Sequence, residues 1–176
     1  MNLIDKTQKI KMVILDVDGV LTDGRIGYGG GSEEELKFFN VKDGSGIRML
    51  KRAGFTVGFV TGRSSPANRK RAAELNLDFC RESCTRKLPV FQELLEEFSF
   101  AAEECLYLGD DFIDWPVMKR VGVSVAVADA AEEVRKAADL RCKSPGGHGA
   151  VREMAEWLLK TQNKWQDVLD YYDFEN

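Results

Sequence analysis

Four short apolar runs, Met12–Leu15, Val57–Val60, Cys105–Leu108 and Val123–Val127, recur along the chain with longer amphipathic stretches between them. Each run is four or five residues long and mostly β-branched or aromatic. Continuous runs of that kind suit strands buried on both faces of a parallel sheet. The stretches between them predict helices at Gly46–Ala53, Pro66–Leu75, Leu88–Phe98, Trp115–Val121, Glu132–Ala138 and Ala150–Lys160. In Leu88–Phe98 the apolar positions Leu88, Phe91, Leu94, Leu95 and Phe98 follow the three-and-four spacing of a helix face. Strand–helix alternation implies right-handed crossovers and a doubly wound, Rossmann-like α/β sheet. The 176 residues fit one domain, 1–176, and no repeat or Pro/Gly/Ser linker divides them.

One stretch breaks the rhythm. After Asp23 comes GRIGYGGGSEEELKFF, in which Gly27, Gly29, Gly30 and Gly31 separate two extended-looking pieces. The pattern predicts a β-hairpin, at about 24–38, projecting from the first strand. A phosphate-cradling glycine loop would need a helix to follow, whereas acidic Glu33–Glu35 come next.

Ligands of open α/β sheets bind beyond the carboxyl ends of the strands, and polar constellations fall there. Asp16 and Asp18 close the first strand in VILDVDGVLTDG; Thr61, Gly62 and Arg63 follow the second run in VTGR. Lys87 stands at a helix start, and Asp110, Asp111 and Asp114 follow the third run in LYLGDDFIDW. The i, i+2 spacing sends Asp16 and Asp18 to the same side of an extended segment. Two such carboxylates repel and call for a cation or a shared proton. The GDD group offers further carboxylates, and an all-oxygen set suits magnesium better than zinc. Lys87 can neutralise Asp16 or a phosphoryl group, and the Thr61 hydroxyl can donate to a phosphoryl oxygen. Such a set suits phosphoryl transfer, where positioning and charge stabilisation dominate. Each piece alone is equally a solvated loop acid or a structural polar group; the joint order is far more specific.

Composition excludes other classes. A net charge of −4 gives no basic footprint for nucleic acid. No apolar run approaches the roughly 20 residues that span a bilayer. The opening MNLIDKTQKIK lacks the apolar stretch of a signal peptide, which points to the cytoplasm. Cys80, Cys84, Cys105 and Cys142 form no C-x-x-C pair, and the single histidine, His148, is far from them in sequence. Reduced thiols, with Cys105 and Cys142 in or beside apolar runs, are expected rather than a zinc site.

The order D-x-D, T-G, K, G-D-D-x-x-D resembles the haloacid dehalogenase superfamily over essentially the whole chain. The resemblance implies that Asp16 is a nucleophile forming an aspartyl-phosphate. Asp18 would protonate the leaving sugar oxygen and then deprotonate the hydrolytic water. Mg2+ would be held by Asp16, the main-chain carbonyl of Asp18, and Asp110, with Asp111 and Asp114 bracing the site.

Within the superfamily, LDVDGVLTDG, ELKFFNVKDGSGIR, VTGR, YLGDDFIDWPVM, VGVSVAVADA and GGHGAVRE resemble the capless family of 3-deoxy-D-manno-octulosonate 8-phosphate phosphatases of lipopolysaccharide inner-core synthesis. That resemblance places substrate contacts at Asp18, Asn40, Val41, Lys42, Asp43, Gly44, Arg48, Thr61, Gly62, Arg63, Arg71 and Lys87. Arginine forks match the phosphate and carboxylate of such a sugar acid bidentately. Relatives acting on nine-carbon sugar 9-phosphates form the alternative. Those acting on the deaminated nine-carbon acid carry Glu and Lys where this chain has Arg63 and Glu74. A phospho-receiver signalling domain is disfavoured, because here Thr61 and Lys87 precede the second acidic cluster. With no insertion for a cap, the site is expected to be closed by neighbours in a homotetramer. The hairpins would build it, and GGHGAVRE or the tail, about 162–176, would reach a neighbouring site.

Overall fold

The computed structural model describes residues 2–29 and 35–174. The first half runs α1 (Leu3–Thr7), β1 (Met12–Leu15), β2 (Gly27–Tyr28), β3 (Glu35–Leu36), α2 (Val41–Arg52), β4 (Thr56–Val60), α3 (Pro66–Glu74) and β5 (Phe79–Arg81). The second runs α4 (Lys87–Phe98), a 3₁₀ turn (Ala102–Glu104), β6 (Cys105–Gly109), α5 (Trp115–Met118), β7 (Val123–Ala126), α6 (Glu132–Ala137), β8 (Leu140–Arg141), α7 (Ala150–Thr161) and α8 (Trp165–Tyr171). Six strands form a parallel sheet in the order β5-β4-β1-β6-β7-β8, and β2 and β3 pair antiparallel as the expected hairpin. Its Gly30 and Gly31 lie outside the described residues.

The sheet is flanked by helices, as the alternation predicts. Every residue of β1, β6 and β7 is buried, as is β4 beyond Thr56. These are the four apolar runs of the sequence. The edge strands β5 and β8 span three and two residues of mixed exposure, too short and too polar to form an apolar run. Short edges of this kind also resist pairing with another chain.

Helix α2 begins at Val41 rather than Gly46, because the Asn40 side chain accepts from the Lys42 amide at 2.8 Å. The tail folds as α8, with Val168 buried and the Arg52 guanidinium 3.3 Å from the centre of the Tyr171 ring. The connection from β1 to α2 carries the hairpin, and no cap domain is evident among the described residues. The four cysteines are free, with burial pushing Cys105 and Cys142 up to about 12.

Helix α7 has no side-chain cap of its own. Asp43, fully buried in α2, accepts instead from the Gly149 amide at 3.2 Å and the Arg152 amide at 2.9 Å. Removing it leaves those donors unsatisfied beneath the α2–α7 contact. Asp43→Ala is expected to lower unfolding stability by about 2 kcal/mol, read from the urea midpoint. An unchanged midpoint would show that the α7 amides find another partner.

Candidate active site

The carboxyl ends of β1, β4 and β6 meet where the sheet order switches sides of β1, the place where α/β sheets open a crevice. Asp16 is the first residue beyond β1, and its amide continues the ladder to the Leu108 carbonyl at 3.1 Å. Thr61 is the first beyond β4, its amide donating to the Arg81 carbonyl at 2.9 Å, and Asp110 is the first beyond β6. The main-chain ladder therefore aims these side chains.

They line a cleft of about 170 Å³ together with Asp18, Gly62, Arg63, Lys87, Asp111 and Ile113. A larger groove of about 500 Å³ lies beside α8, but no carboxylate lines it. Chemistry, not size, singles out the smaller cleft.

Lys87, the first residue of α4, is 2% exposed, and its Nζ lies 2.7 Å from both Asp16 Oδ1 and Asp114 Oδ1. Burial alone would pull its ammonium down; the two carboxylates hold it above the usual lysine value. Asp114, fully buried, forms the floor. Its Oδ1 also accepts from the Tyr107 hydroxyl at 2.7 Å, and its Oδ2 from the amides of Asp110 at 3.0 Å and Asp111 at 3.3 Å.

Burial and the Asp114 charge push the Asp16 carboxyl up to about 6, against the pull of Lys87. Burial and the charge of Asp16 push Asp110 up to about 8. Carboxylates that oppose each other so strongly suit a divalent cation, and an oxygen-only set suits magnesium. Oxygens of Asp16, Asp110 and Asp114 lie within 4.8 Å of one another. Asp114 already accepts four hydrogen bonds, so Asp16 and Asp110, with the Asp18 carbonyl, are the groups that would hold the ion. Asp111 stands exposed at the rim, its Oδ1 accepting from the Phe112 amide at 2.7 Å.

Two glycine contacts set the geometry of the DVDG turn. Gly19 has φ +95°, and a Cβ there would fall 2.1 Å from Asp110 Oδ2. Gly19→Ala is expected to reduce kcat/KM about 100-fold by displacing that carboxylate and to raise the magnesium concentration needed for half-activity. A magnesium titration of phosphate release checks this, and a normal curve would refute it. From the other end of the chain, a Cβ on Gly146 would fall 1.8 Å from the Gly19 carbonyl oxygen, and the Gly147 amide donates to the Val20 carbonyl at 2.9 Å. Gly146 and Gly147 therefore clamp the DVDG turn of their own chain.

The structure adds residues that the sequence reading did not select. Lys37, with its side chain 2% exposed, donates to Asp18 Oδ1, and Glu35 accepts from Arg63 Nη2. Glu35 and Lys37 share one face of an extended segment by their i, i+2 spacing, a signal present in ELKFF.

Several expected substrate contacts lie outside the cleft lining. Asn40 caps α2 and donates to the Gly147 carbonyl at 3.1 Å. Val41 and Lys42 are exposed at the start of α2, with Gly44 buried one residue beyond Asp43. Arg71 donates to the Asn40 carbonyl at 3.3 Å and lies over the Phe39 ring, its Nε buried without a partner among the described residues. The Asp43 carboxylate is engaged by the amides at the start of α7. Arg48 is exposed in a separate groove with Lys51 and Glu74, about 12 Å along the helix axis from Asn40.

The haloacid dehalogenase-like hydrolase family model matches residues 83–154, a span that includes Lys87, Asp110 and Asp114. The 3-deoxy-D-manno-octulosonate 8-phosphate phosphatase of Escherichia coli K12 is 46% identical over 167 residues, covering 95% of this chain and 88% of that protein. The chain belongs to the 3-deoxy-D-manno-octulosonate 8-phosphate phosphatase family. Solved structures agree. A crystal structure of the Yersinia pestis family member has a TM-score of 0.90 at 41% identity, covering 93% of this chain and 88% of that one. The Moraxella catarrhalis family member, solved with a magnesium ion, a phosphate ion and a KDO molecule, has a TM-score of 0.93 at 34% identity, covering 97% of each chain. A family member from Haemophilus influenzae, in cobalt-bound form, has a TM-score of 0.86 at 41% identity, covering 90% of this chain and 92% of that one.

Proposed function

We propose that this chain is a magnesium-dependent phosphatase that hydrolyses 3-deoxy-D-manno-octulosonate 8-phosphate to the free sugar acid and phosphate, in lipopolysaccharide inner-core synthesis. The observation that carries this reading is the buried Asp16–Lys87–Asp114 arrangement with Asp110 beside it, in a chain 46% identical to the Escherichia coli phosphatase.

A carboxylate oxygen of Asp16 attacks phosphorus, and the bond from phosphorus to the sugar oxygen breaks. Asp18 gives that oxygen a proton, then takes one from the water that cleaves the aspartyl-phosphate and frees Asp16. Thr61 and Lys87 donate to phosphoryl oxygens. Bound magnesium supplies positive charge against the phosphoryl oxygens and relieves the repulsion between Asp16 and Asp110. Gly62 and Arg63 meet the sugar end in the cleft, and Arg71, with the Asn40–Gly44 start of α2, is assigned its far end.

Exposed apolar side chains on and beside the hairpin, Tyr28, Leu36 and Phe38, support a homotetramer in which a neighbour closes the cleft that no cap covers. No helix among the described residues is long and apolar enough to cross a membrane, and a cytoplasmic location is proposed.

Phosphate release across a panel of sugar phosphates tests the assignment. The eight-carbon 8-phosphate is expected to turn over with magnesium and to stop with a chelator. Nine-carbon 9-phosphates are expected to have kcat/KM values at least about 10-fold lower, the scale of a poorly matched pocket. Equal or faster turnover of a nine-carbon substrate would move the assignment to that class.

A further inference from the structure

The loop after β4 is held differently at its two ends. Thr61 is fixed by the sheet: its amide donates to the Arg81 carbonyl at 2.9 Å, and its carbonyl accepts from the Cys84 amide at 3.0 Å. The chain then leaves the sheet, and the Glu82 carboxylate, one residue past β5, holds it. Glu82 Oε1 accepts from the Ser65 amide at 2.8 Å and from Asn68 Nδ2 at 3.2 Å. Its Oε2 accepts from Arg69 Nη1 at 2.6 Å and from the Ser64 hydroxyl at 3.3 Å. Asn68 is fully buried, and the same side-chain nitrogen donates to the Arg63 carbonyl at 3.3 Å. Burial would push the Glu82 carboxyl up; the Ser65 amide, Arg69 and Asn68 outweigh it and hold the group below the usual glutamate value. Glu82 itself does not line the cleft.

We propose that Glu82 is a positioning residue for substrate binding: through Ser65 and Asn68 it sets the main chain from which Arg63 reaches the sugar end of the cleft. The proposal rests on the reading of Arg63 as a contact for the sugar acid. The Arg63 side chain is 43% exposed, so packing alone does not fix it. Ordering a long side chain at the moment of binding costs affinity, and a preset starting point lowers that cost. An arginine fork also needs alignment to meet a carboxylate with two parallel bonds. Thr61 has its own sheet bonds, so chemistry at phosphorus does not depend on Glu82. The carboxylate therefore acts on affinity for the sugar and not on the phosphoryl step.

A role confined to stability predicts equal losses on every substrate. 4-Nitrophenyl phosphate, which carries the phosphoryl group but no sugar acid, separates the two. With magnesium saturating, Glu82→Ala is expected to raise KM for the eight-carbon sugar phosphate about 10-fold, the scale of one charge-assisted hydrogen bond. Its kcat is expected to stay within about 2-fold, the pattern of lost ground-state binding. For 4-nitrophenyl phosphate kcat/KM is expected to fall by under about 3-fold, which also reports an intact fold and nucleophile. Glu82→Gln keeps a carbonyl oxygen for Ser65 and Asn68 and is expected to recover most of the affinity. Arg63→Ala is expected to raise KM for the sugar phosphate at least as far as Glu82→Ala does. Adding Glu82→Ala to it should raise KM little further, because no guanidinium is left to misplace.

Equal losses on both substrates in Glu82→Ala, or full additivity in the double variant, would overturn the positioning role alone. An unchanged sugar-phosphate KM in Arg63→Ala would overturn the reading of Arg63 beneath it.

Discussion

Asp16→Asn is expected to reduce phosphate release by about 10⁴-fold or more, the scale seen when a nucleophile is removed, while the protein remains folded. The amide has the shape of the carboxyl but no anionic oxygen to attack phosphorus. The fold is expected to tolerate the change because Asp16 sits among like charges. Burial opposes its ionisation, and the Asp114 charge opposes it further. Lys87 loses one partner but keeps Asp114 at 2.7 Å. Thermal unfolding without metal should therefore shift by only a few degrees, equivalent to about 1 kcal/mol. Steady phosphate release by this variant at near-normal rate would refute Asp16 as the nucleophile.

The second large effect lies on the opposite charge. Lys87→Met is expected both to remove activity and to destabilise the protein by about 3–5 kcal/mol, because it leaves two buried carboxylates without their common cation. Asp16 is 5% exposed and Asp114 fully buried, so water cannot take over from the ammonium. Chemical denaturation in the presence of a chelator reads this directly. The double variant Asp16→Asn, Lys87→Met should lose less stability than Lys87→Met alone, since one of the stranded charges is gone. Strict additivity would mean that Lys87 is not coupled to Asp16.

Much of this arrangement was legible because the chemistry sits where the sheet is most regular. The four central runs announce themselves by continuous burial, and Asp16, Thr61 and Asp110 follow directly from their ends. What stayed hidden was local structure carried by distant partners. Helix α7 starts at Ala150, as its sequence predicts, but no pattern within residues 144–150 shows that Asp43 of α2 caps it. Helix α2 starts earlier than its glycines suggest because Asn40 caps it. The edge strands are too short for a periodic signal, and α8 depends on the Arg52 face it packs against. In the site, Lys37 was missed because charged residues in a glycine-rich hairpin look solvated. Its burial appears only once β3 folds over Asp18.

The close fit of Gly146 against the Gly19 carbonyl also bears on how the protein is made. Translation delivers Asp16 and its turn near the start, and domains fold as units when enough chain has emerged. The turn's final brace at Gly146 lies well over a hundred residues later, and its neighbour Asp110 follows well after the hairpin. A nascent chain therefore exposes unpaired acids and an open strand edge until the glycine pair leaves the ribosome. Competence for metal should therefore arrive only after residue 147 has joined the turn, and all at once.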